Sequence, residues 1–272
     1  MTDTEDLLYD VTNGVARLTL NRPEAANALT PDQRNRMIEI FDEVGNDLNV
    51  RVIVLGATGK HFCTGADLRV SKIPETSRPE GAPERTLGDV GRNIRRGAQR
   101  LVTAIMDCEK PVIASVNGTA AGLGAHLAMA CDLAVAADTA RFIEIFVRRG
   151  ITPDGGGAYM LPRLVGLAKA KELMFFGDNM MAADAERLGL INKAVSAGDL
   201  DDEVDAWAQR LAGAPTKAVS LTKWLLNRSL DSDRVTAFAD EAWAQELAST
   251  TNDFHEGVNA FIERRDAEFK GW

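Results

Sequence analysis

The sequence predicts an α/β fold that gives way to a helical tail, and three observations carry that expectation. Short apolar, β-prone runs alternate with segments of helical periodicity through the first part of the chain. Two of those runs, Arg51–Ala57 and Pro111–Val116, each deliver the chain into a glycine-bearing loop. From Gly155 onward the pattern is almost entirely helical, with one short apolar break at Ile191–Val195.

The elements follow in order. LLYDV and VARLTL flank Asn13-Gly14, a pair that supplies the positive φ angles of a type I′ turn and so predicts a β-hairpin. Asn21-Arg22-Pro23 ends the second strand, and Thr30-Pro31 suits an N-cap and first turn, with a helix running to about Leu48. Arg51–Ala57 reads as a buried strand, followed by a loop at 58–68. Residues 71–89, broken by Pro74, Pro79, Pro83, Gly81 and Gly88, read as a mobile loop or lid. A helix is expected from about Asp89 to Asp107.

The same unit then recurs: a strand at Pro111–Val116, a glycine loop at Asn117–Gly124, a helical turn at Ala125–Ala130 and a strand at Asp132–Ala137. A further short strand is expected at Ala140–Ile145. Helical periodicity covers Asp199–Leu211, Pro215–Ser229, Asp231–Ser249 and Asn252–Phe269. A boundary near residue 200 therefore divides a core, 1–200, from a C-terminal helical region, 201–272, of the kind that often serves assembly.

Composition excludes several classes. Of the residues, 45% are hydrophobic and 26% charged, the balance of an ordinary soluble globular protein. No apolar run approaches the roughly 18–20 residues of a membrane span. The N-terminal segment is acidic and lacks the basic and apolar parts of a signal peptide, so a cytoplasmic protein is expected. Cys63, Cys108 and Cys131 are too scattered for a disulfide framework or a CxxC site, and His61, His126 and His255 lack ligand spacing, so no metal is expected. A net charge of −9 argues against nucleic-acid binding, which needs a concentrated positive surface. Local basic clusters (Arg92, Arg95, Arg96; Arg148, Arg149; Arg264, Arg265) could still meet a small polyanion.

The loops Gly65-Ala66-Asp67 and Gly122-Leu123-Gly124 each follow a buried strand and lead toward a helix start. Backbone N–H groups at such places have no helical partner and carry the positive end of the helix dipole. Two of them converging on one carbonyl oxygen would stabilise an enolate or tetrahedral oxyanion. Read from the glycines alone, two tight turns are the plainer account. A dinucleotide site fails on spacing, because GxGxxG from Gly122 needs a glycine where Leu127 stands. Neither a P-loop lysine nor a GxSxG elbow is present.

Six segments in order resemble the crotonase (enoyl-CoA hydratase/isomerase) superfamily: NRPEAANAL at 21–29, KHFCTGADL at 60–68, PVIASVNGTAAGLGAHLAMACDL at 111–133, PDGGGAYMLPRLVG at 153–166, AADAERLGL at 182–190 and FIERR at 261–265. The resemblance spans essentially the whole chain. It implies a crotonase-like spiral of ββα units with a C-terminal helical trimerisation region, assembled as a homotrimer or a dimer of trimers. It also implies an acyl-CoA thioester substrate, with coenzyme A as part of that substrate and no permanently bound cofactor. By position the oxyanion donors are the N–H groups of Ala66 and Leu123; Leu123 stands where many relatives have glycine, which a backbone donor tolerates if its φ is negative. The implied CoA contacts are Glu24, Ala25, Ala26, Ala28, Thr64, Gly65, Asp67, Leu68, Gly122, Phe261, Arg264 and Lys270. For Lys60, Arg264 and Lys270, solvated surface charge is the plainer alternative.

The chain departs from the family at its catalytic positions. Hydratases of the family use two glutamates, and those positions hold His126 and Phe146. Water addition needs a pair of acid–base groups, whereas a double-bond shift needs one base that removes a proton and returns it elsewhere. Asp154 occupies the position used as proton shuttle in the dienoyl-CoA isomerases and the ring-1,2-epoxyphenylacetyl-CoA isomerase branch, so an isomerase is favoured. Asp154 is equally a good N-cap, His126 is more simply an interior histidine, and Glu144, which would share a strand face with Phe146, stands as a backup acid. A hydratase of unusual construction, a dehalogenase (disfavoured by Gln99 where a histidine is needed) and a non-catalytic acyl-CoA binder are the competing readings.

Overall fold

The computed structural model describes residues 6–70, 80–83 and 86–272. The expected lid at 71–89 falls largely outside the described residues. The hairpin forms as its turn chemistry requires. Asn13 and Gly14 both take positive φ, 53° and 81°, and strand β1 (Leu7–Thr12) pairs antiparallel with β2 (Val15–Leu20) from Leu7↔Leu20 to Thr12↔Val15. Helix α1 (Pro31–Val44) opens on a reciprocal capping box: Gln33 N–H donates to Thr30 Oγ1 at 3.2 Å and Thr30 N–H donates to Gln33 Oε1 at 3.1 Å. It stops short of the expected Leu48. Beyond Gly45 the Asp47 carboxylate accepts the Asn49 N–H at 2.8 Å, a local turn that competes with helical continuation.

Strand β3 (Val52–Ala57) and strand β4 (His61–Cys63) precede helices α2 (Asp89–Arg96) and α3 (Ala98–Asp107). The single helix expected at 89–107 is thus two, broken at Gly97. A side chain there would begin 2.6 Å from the Arg34 guanidinium and 2.8 Å from the Asn93 carbonyl oxygen, so a glycine at the break leaves room for Arg34 of α1, the helix that packs on α3. Then come β5 (Val112–Val116), β6 (Thr119–Ala121), α4 (Leu123–Ala130), β7 (Leu133–Ala137) and β8 (Arg141–Ile143). A 3-10 turn at Ile145–Arg149 leads on to α5 (Gly157–Val165), α6 (Leu167–Phe176), β9 (Asn179–Met181), α7 (Ala182–Arg187) and β10 (Lys193–Val195). The C-terminal helices are α8 (Leu200–Ala212), α9 (Thr216–Ser229), α10 (Arg234–Ala248) and α11 (Asn252–Glu263).

The strands sort into two sheets with the orders β1-β2-β3-β5-β7-β10 and β4-β6-β8-β9. Three times in succession one strand joins the large sheet and the next joins the small one: β3 then β4, β5 then β6, β7 then β8. That alternation, with a helix between successive pairs, is the spiral of ββα units. From β2 to β10 the large sheet is parallel, and β3 and β5 are apolar without alternation because both faces are covered. Val52, Ile53, Leu55, Val112, Ile113 and Val116 are completely buried, each contributing about 1.5–3 kcal/mol on removal from water.

Helix α8 packs on β3, β5 and β7, with Val204 and Ala208 buried in the core. Helix α9 is tied to the core by one buried cation. Lys223 Nζ lies 2.8 Å from Asp132 Oδ2 and donates to the carbonyls of Ile105 and Lys110 at 3.1 and 3.2 Å. Helix α11 ends at Glu263, not Phe269, because Arg264 adopts the left-handed conformation and the chain turns back. Arg265 then pairs with Glu256, and Asp253 accepts the N–H groups of Lys270 and Gly271, each at 2.7 Å.

Candidate active site

The topology brings the two glycine loops together. β4 and β6 are parallel neighbours in the small sheet, so the segments that leave their C-terminal ends, 64–68 and 122–124, emerge side by side. Both strands lie within what reads as loop in the sequence. Glycines permit the close approach: a side chain at Gly118 would begin 2.0 Å from the Lys60 carbonyl oxygen, and one at Gly124 would begin 2.0 Å from the Cys63 carbonyl oxygen. Gly65, at φ 103°, faces the second loop, where a side chain would start 3.2 Å from the Ala121 carbonyl oxygen and 3.7 Å from the Leu123 nitrogen.

Leu123 opens α4 with a negative φ, so its side chain costs no backbone strain. Among the described residues, neither the Ala66 N–H nor the Leu123 N–H donates to a protein acceptor, while their neighbours are engaged: Gly122 N–H donates to Ile143 O at 2.9 Å and Asp67 N–H to Leu29 O at 2.8 Å. Two unspent donors on adjoining loops, one at a helix start, can receive a single carbonyl oxygen and stabilise the charge that grows on it.

The first loop is stitched to segment 22–29. Asn27, buried and at φ 53°, donates through Nδ2 to the carbonyls of Thr58 and His61 at 2.8 and 2.7 Å, and its Oδ1 accepts the Arg22 N–H at 2.8 Å. Thr64 Oγ1 donates to Ala26 O at 3.0 Å, and Leu29 N–H donates to Gly65 O at 2.8 Å. Sequence reasoning passed over Arg22 and Asn27. The available signal was an asparagine among small residues, where a left-handed backbone is best tolerated.

Asp67 carries that stitching. It is 2% exposed, held by Arg69 through Nε and Nη2 at 3.1 and 3.2 Å and by Arg22 Nη2 at 3.2 Å. Arg69's hydrogen bonds, ahead of Arg22's, bring its pKa down to about 2. The carboxylate therefore faces its own arginines and holds the loop. Because the folded-state pKa lies below the ordinary 3.8, the stabilisation is complete above that value and is lost as pH falls toward about 2. Asp67→Asn is expected to lower Tm at neutral pH, with the gap to the parent closing across that acid window. Thermal unfolding over a pH series checks this, and a gap that stays constant down to pH 2 would sink the assignment.

On the second loop's far side, α4 is buried along its whole length. His126 is fully buried, and its Nε2 lies 3.2 Å from Glu144 Oε2. Its ring stacks on Phe146, centroids 5.1 Å apart and planes inclined by 19°. Glu144 does not share a strand face with Phe146: β8 ends at Ile143 and Glu144 caps the 3-10 turn, which redirects it inward. The imidazole occupies space left by two glycines. A side chain at Gly155 would begin 2.8 Å from Nδ1, and one at Gly157 would begin 2.1 Å from Nε2. Nδ1 is buried and has no hydrogen-bond partner among the described residues.

Asp154 precedes those glycines and does not cap α5. Gly156 takes the N-cap position in a left-handed turn, with no side-chain cap bond. Burial raises the Asp154 pKa, opposed by the nearby His126 and by its own backbone N–H. Desolvation is thus the dominant influence, the direction that suits a base which must accept and return a proton.

Of the other expected contacts, Glu24 is exposed, Ala25, Ala26 and Ala28 are half-buried beside the first loop, and Leu68 is 66% exposed at its rim. Phe261, Arg264 and Lys270 are exposed on α11 and the tail, and no hydrogen bond or ion pair links them to the glycine loops among the described residues. No group of three or more metal-ligating side chains occurs among the described residues, and no helix there is long and apolar enough to cross a membrane.

Comparison with known proteins bears on the family and the fold. The family model for enoyl-CoA hydratase/isomerase matches residues 10–272. The chain is 35% identical over 267 residues to the 1,2-epoxyphenylacetyl-CoA isomerase of Escherichia coli, covering 98% of this chain and 99% of that protein. It is 38% identical over 267 residues to a short-chain-enoyl-CoA hydratase of Clostridium acetobutylicum, covering 98% of each. The crystal structure of an enoyl-CoA hydratase from Mycobacterium smegmatis superposes with a TM-score of 0.86 at 35% identity, covering 97% of this chain and 98% of that one. Isomerase and hydratase stand at like distances, so identity does not choose between their chemistries. The spiral, the paired glycine loops and matches over nearly the full length place this chain in the enoyl-CoA hydratase/isomerase family, within the crotonase superfamily.

Proposed function

We propose that the chain is an enoyl-CoA isomerase-type enzyme, shifting a double bond through a thioester enolate. The N–H groups of Ala66 and Leu123 receive the thioester oxygen, and Asp154 removes a proton from one carbon and returns it to another. The observation that carries this reading is the chemistry around α4. The positions where the family's hydratases hold their two glutamates are occupied by His126 and Phe146, while Asp154 is a carboxyl whose pKa burial has raised. Each oxyanion donor supplies roughly 3–4 kcal/mol of transition-state stabilisation. Proton shuttling by one carboxylate supplies a further hundredfold or more in rate, on the order of 3 kcal/mol.

The substrate is an acyl-CoA thioester, coenzyme A entering and leaving with it, with no resident cofactor. The assembly is a homotrimer or a dimer of trimers, with residues 201–272 as the assembly region. Large apolar side chains exposed on that region support this: Phe238 is 63% exposed, Trp243 69%, Phe261 85% and Ile262 70%.

A hydratase of unusual construction is the second reading. It is favoured by the buried His126–Glu144 contact, which offers a second acid–base group near the loops.

The deciding measurement is a product assay on 2-enoyl- and 3-enoyl-CoA thioesters in heavy water, resolved by mass spectrometry. Double-bond migration is expected. A 3-hydroxyacyl product would replace the isomerase reading with the hydratase, and an absence of turnover that extends to a wider acyl panel would leave a non-catalytic acyl-CoA binder.

A further inference from the structure

The role of the buried histidine follows from three facts: His126 Nε2 is 3.2 Å from the buried Glu144 carboxylate, its Nδ1 has no partner among the described residues, and Nδ1 faces the residue next to Asp154. A carboxylate can only accept, so the hydrogen that bridges the 3.2 Å contact between Nε2 and Glu144 Oε2 sits on Nε2. That leaves Nδ1 as a bare lone pair, sealed from water. A buried acceptor with no donor costs free energy, and a fold that retains one commonly has a use for it. The glycines sharpen the point. Side chains at Gly155 and Gly157 would overlap the ring, so the turn that carries Asp154 is shaped around the imidazole.

We infer that Glu144 and His126 form a positioning pair for Asp154. Glu144 fixes the tautomer of His126, and Nδ1 then accepts a hydrogen bond from the Asp154 carboxyl once that group is protonated. This rests on Asp154 being the proton shuttle. The cycle balances without any other reactant: the Asp154 carboxylate takes a proton from a substrate carbon as the C–H electron pair enters the dienolate. The resulting carboxyl turns its O–H toward Nδ1, and the same proton then goes to the second carbon as the new C–H bond forms. During the interval the hydrogen bond shields the proton from exchange with water. Phe146, stacked on the ring, and Glu144 hold the imidazole in plane, so it needs no rearrangement between the two transfers.

The pair can be tested without turnover, because the chain has only three histidines, His61, His126 and His255, whose ring nitrogens nitrogen-15 NMR can assign. In the full-length protein His126 is expected as the Nε2–H tautomer. Asp154→Asn, whose amide is a fixed donor, is expected to shift the Nδ1 resonance. Glu144→Gln, whose amide can donate to Nε2, is expected to move the hydrogen to Nδ1. A His126 found as the Nδ1–H tautomer, or one whose resonances ignore Asp154→Asn, would overturn the inference. A merely structural histidine gives the second result.

The turnover arm uses His126→Gln, whose amide nitrogen still reaches Glu144 while the Nδ1 acceptor is gone. It is expected to lower kcat about tenfold with KM unchanged. Solvent deuterium incorporation should also rise severalfold over the parent as the proton escapes to water. Unchanged incorporation and rate would likewise overturn the pair. If the parent protein moves no double bond at all, the isomerase reading fails by itself, and the NMR arms still decide whether His126 addresses Asp154.

Discussion

Replacing Asp154 with asparagine is expected to slow double-bond migration at least about a hundredfold while leaving CoA-thioester binding unchanged, as loss of a proton shuttle requires. Asparagine is nearly the same size, so the turn through Gly155–Gly157 and the seat of His126 should persist. What disappears is a group that can take a proton. The same change is expected to stabilise the fold at neutral pH. Burial raises the Asp154 pKa, so the folded chain binds that proton more tightly than the unfolded one does. Below both pKa values the carboxyl is protonated in both states and adds no charge cost. Above them the folded chain carries a poorly solvated anion, and stability declines through that interval. Asp154→Asn should therefore raise Tm at neutral pH, by an amount that shrinks as pH falls through the raised pKa. The acid limb of kcat/KM in the parent should lie above the ordinary aspartate value for the same reason. A variant that loses stability at neutral pH, or keeps full rate, would show that Asp154 is a structural carboxylate.

Much of the fold was legible because its signals are local. Asn13-Gly14 dictates a hairpin turn whatever surrounds it, and Thr30 with Gln33 closes a capping box within one turn of chain. The apolar runs of β3 and β5 announce strands buried on both faces.

The site was legible only in part, because its construction is not local. β4 and β6 are three residues each, too short for a periodic signal, and they exist as strands because they pair with each other. Asp154 reads as an N-cap from its neighbours, yet the glycines that suggest a helix start also let Gly156 take the cap in a left-handed turn. The His126–Glu144 contact spans 18 residues, and the chain between them adds one strand to each sheet, so no spacing rule reports it. At the C-terminus, periodicity ran past Glu263 because no glycine marks the end; Arg264 adopts the left-handed backbone that a glycine would usually supply.

Gly124 is where the fold and the site depend on the same missing atom, and Gly124→Ala is expected to damage both. On helix propensity alone the change should help, since alanine in α4 is favoured over glycine by about 1 kcal/mol. Packing opposes it with more force. The added methyl would start 2.0 Å from the Cys63 carbonyl oxygen, 2.6 Å from its carbon and 2.8 Å from the Cys63 side chain. The first two are backbone atoms of β4 and cannot swing aside, and both helix and strand are buried. Relief requires the two loops to part by roughly an ångström, and overpacking of this kind costs typically 1–3 kcal/mol or more. That separation is measured at the place where the Ala66 and Leu123 N–H groups must converge, and each donor is worth roughly 3–4 kcal/mol to the transition state. Propensity therefore loses. The expected variant has a lowered Tm and a kcat reduced by about a hundredfold or more, with KM less affected. Gly91→Ala is the matched control, also a glycine inside a helix, in α2, but with no atom of the described residues within 4 Å of the new methyl. It should be neutral or stabilising by up to about 1 kcal/mol. Circular dichroism and steady-state kinetics on the two variants together isolate the steric effect. A Gly124→Ala protein that melts and turns over like its Gly91→Ala counterpart would mean that the loops do not approach closely enough to share one oxygen.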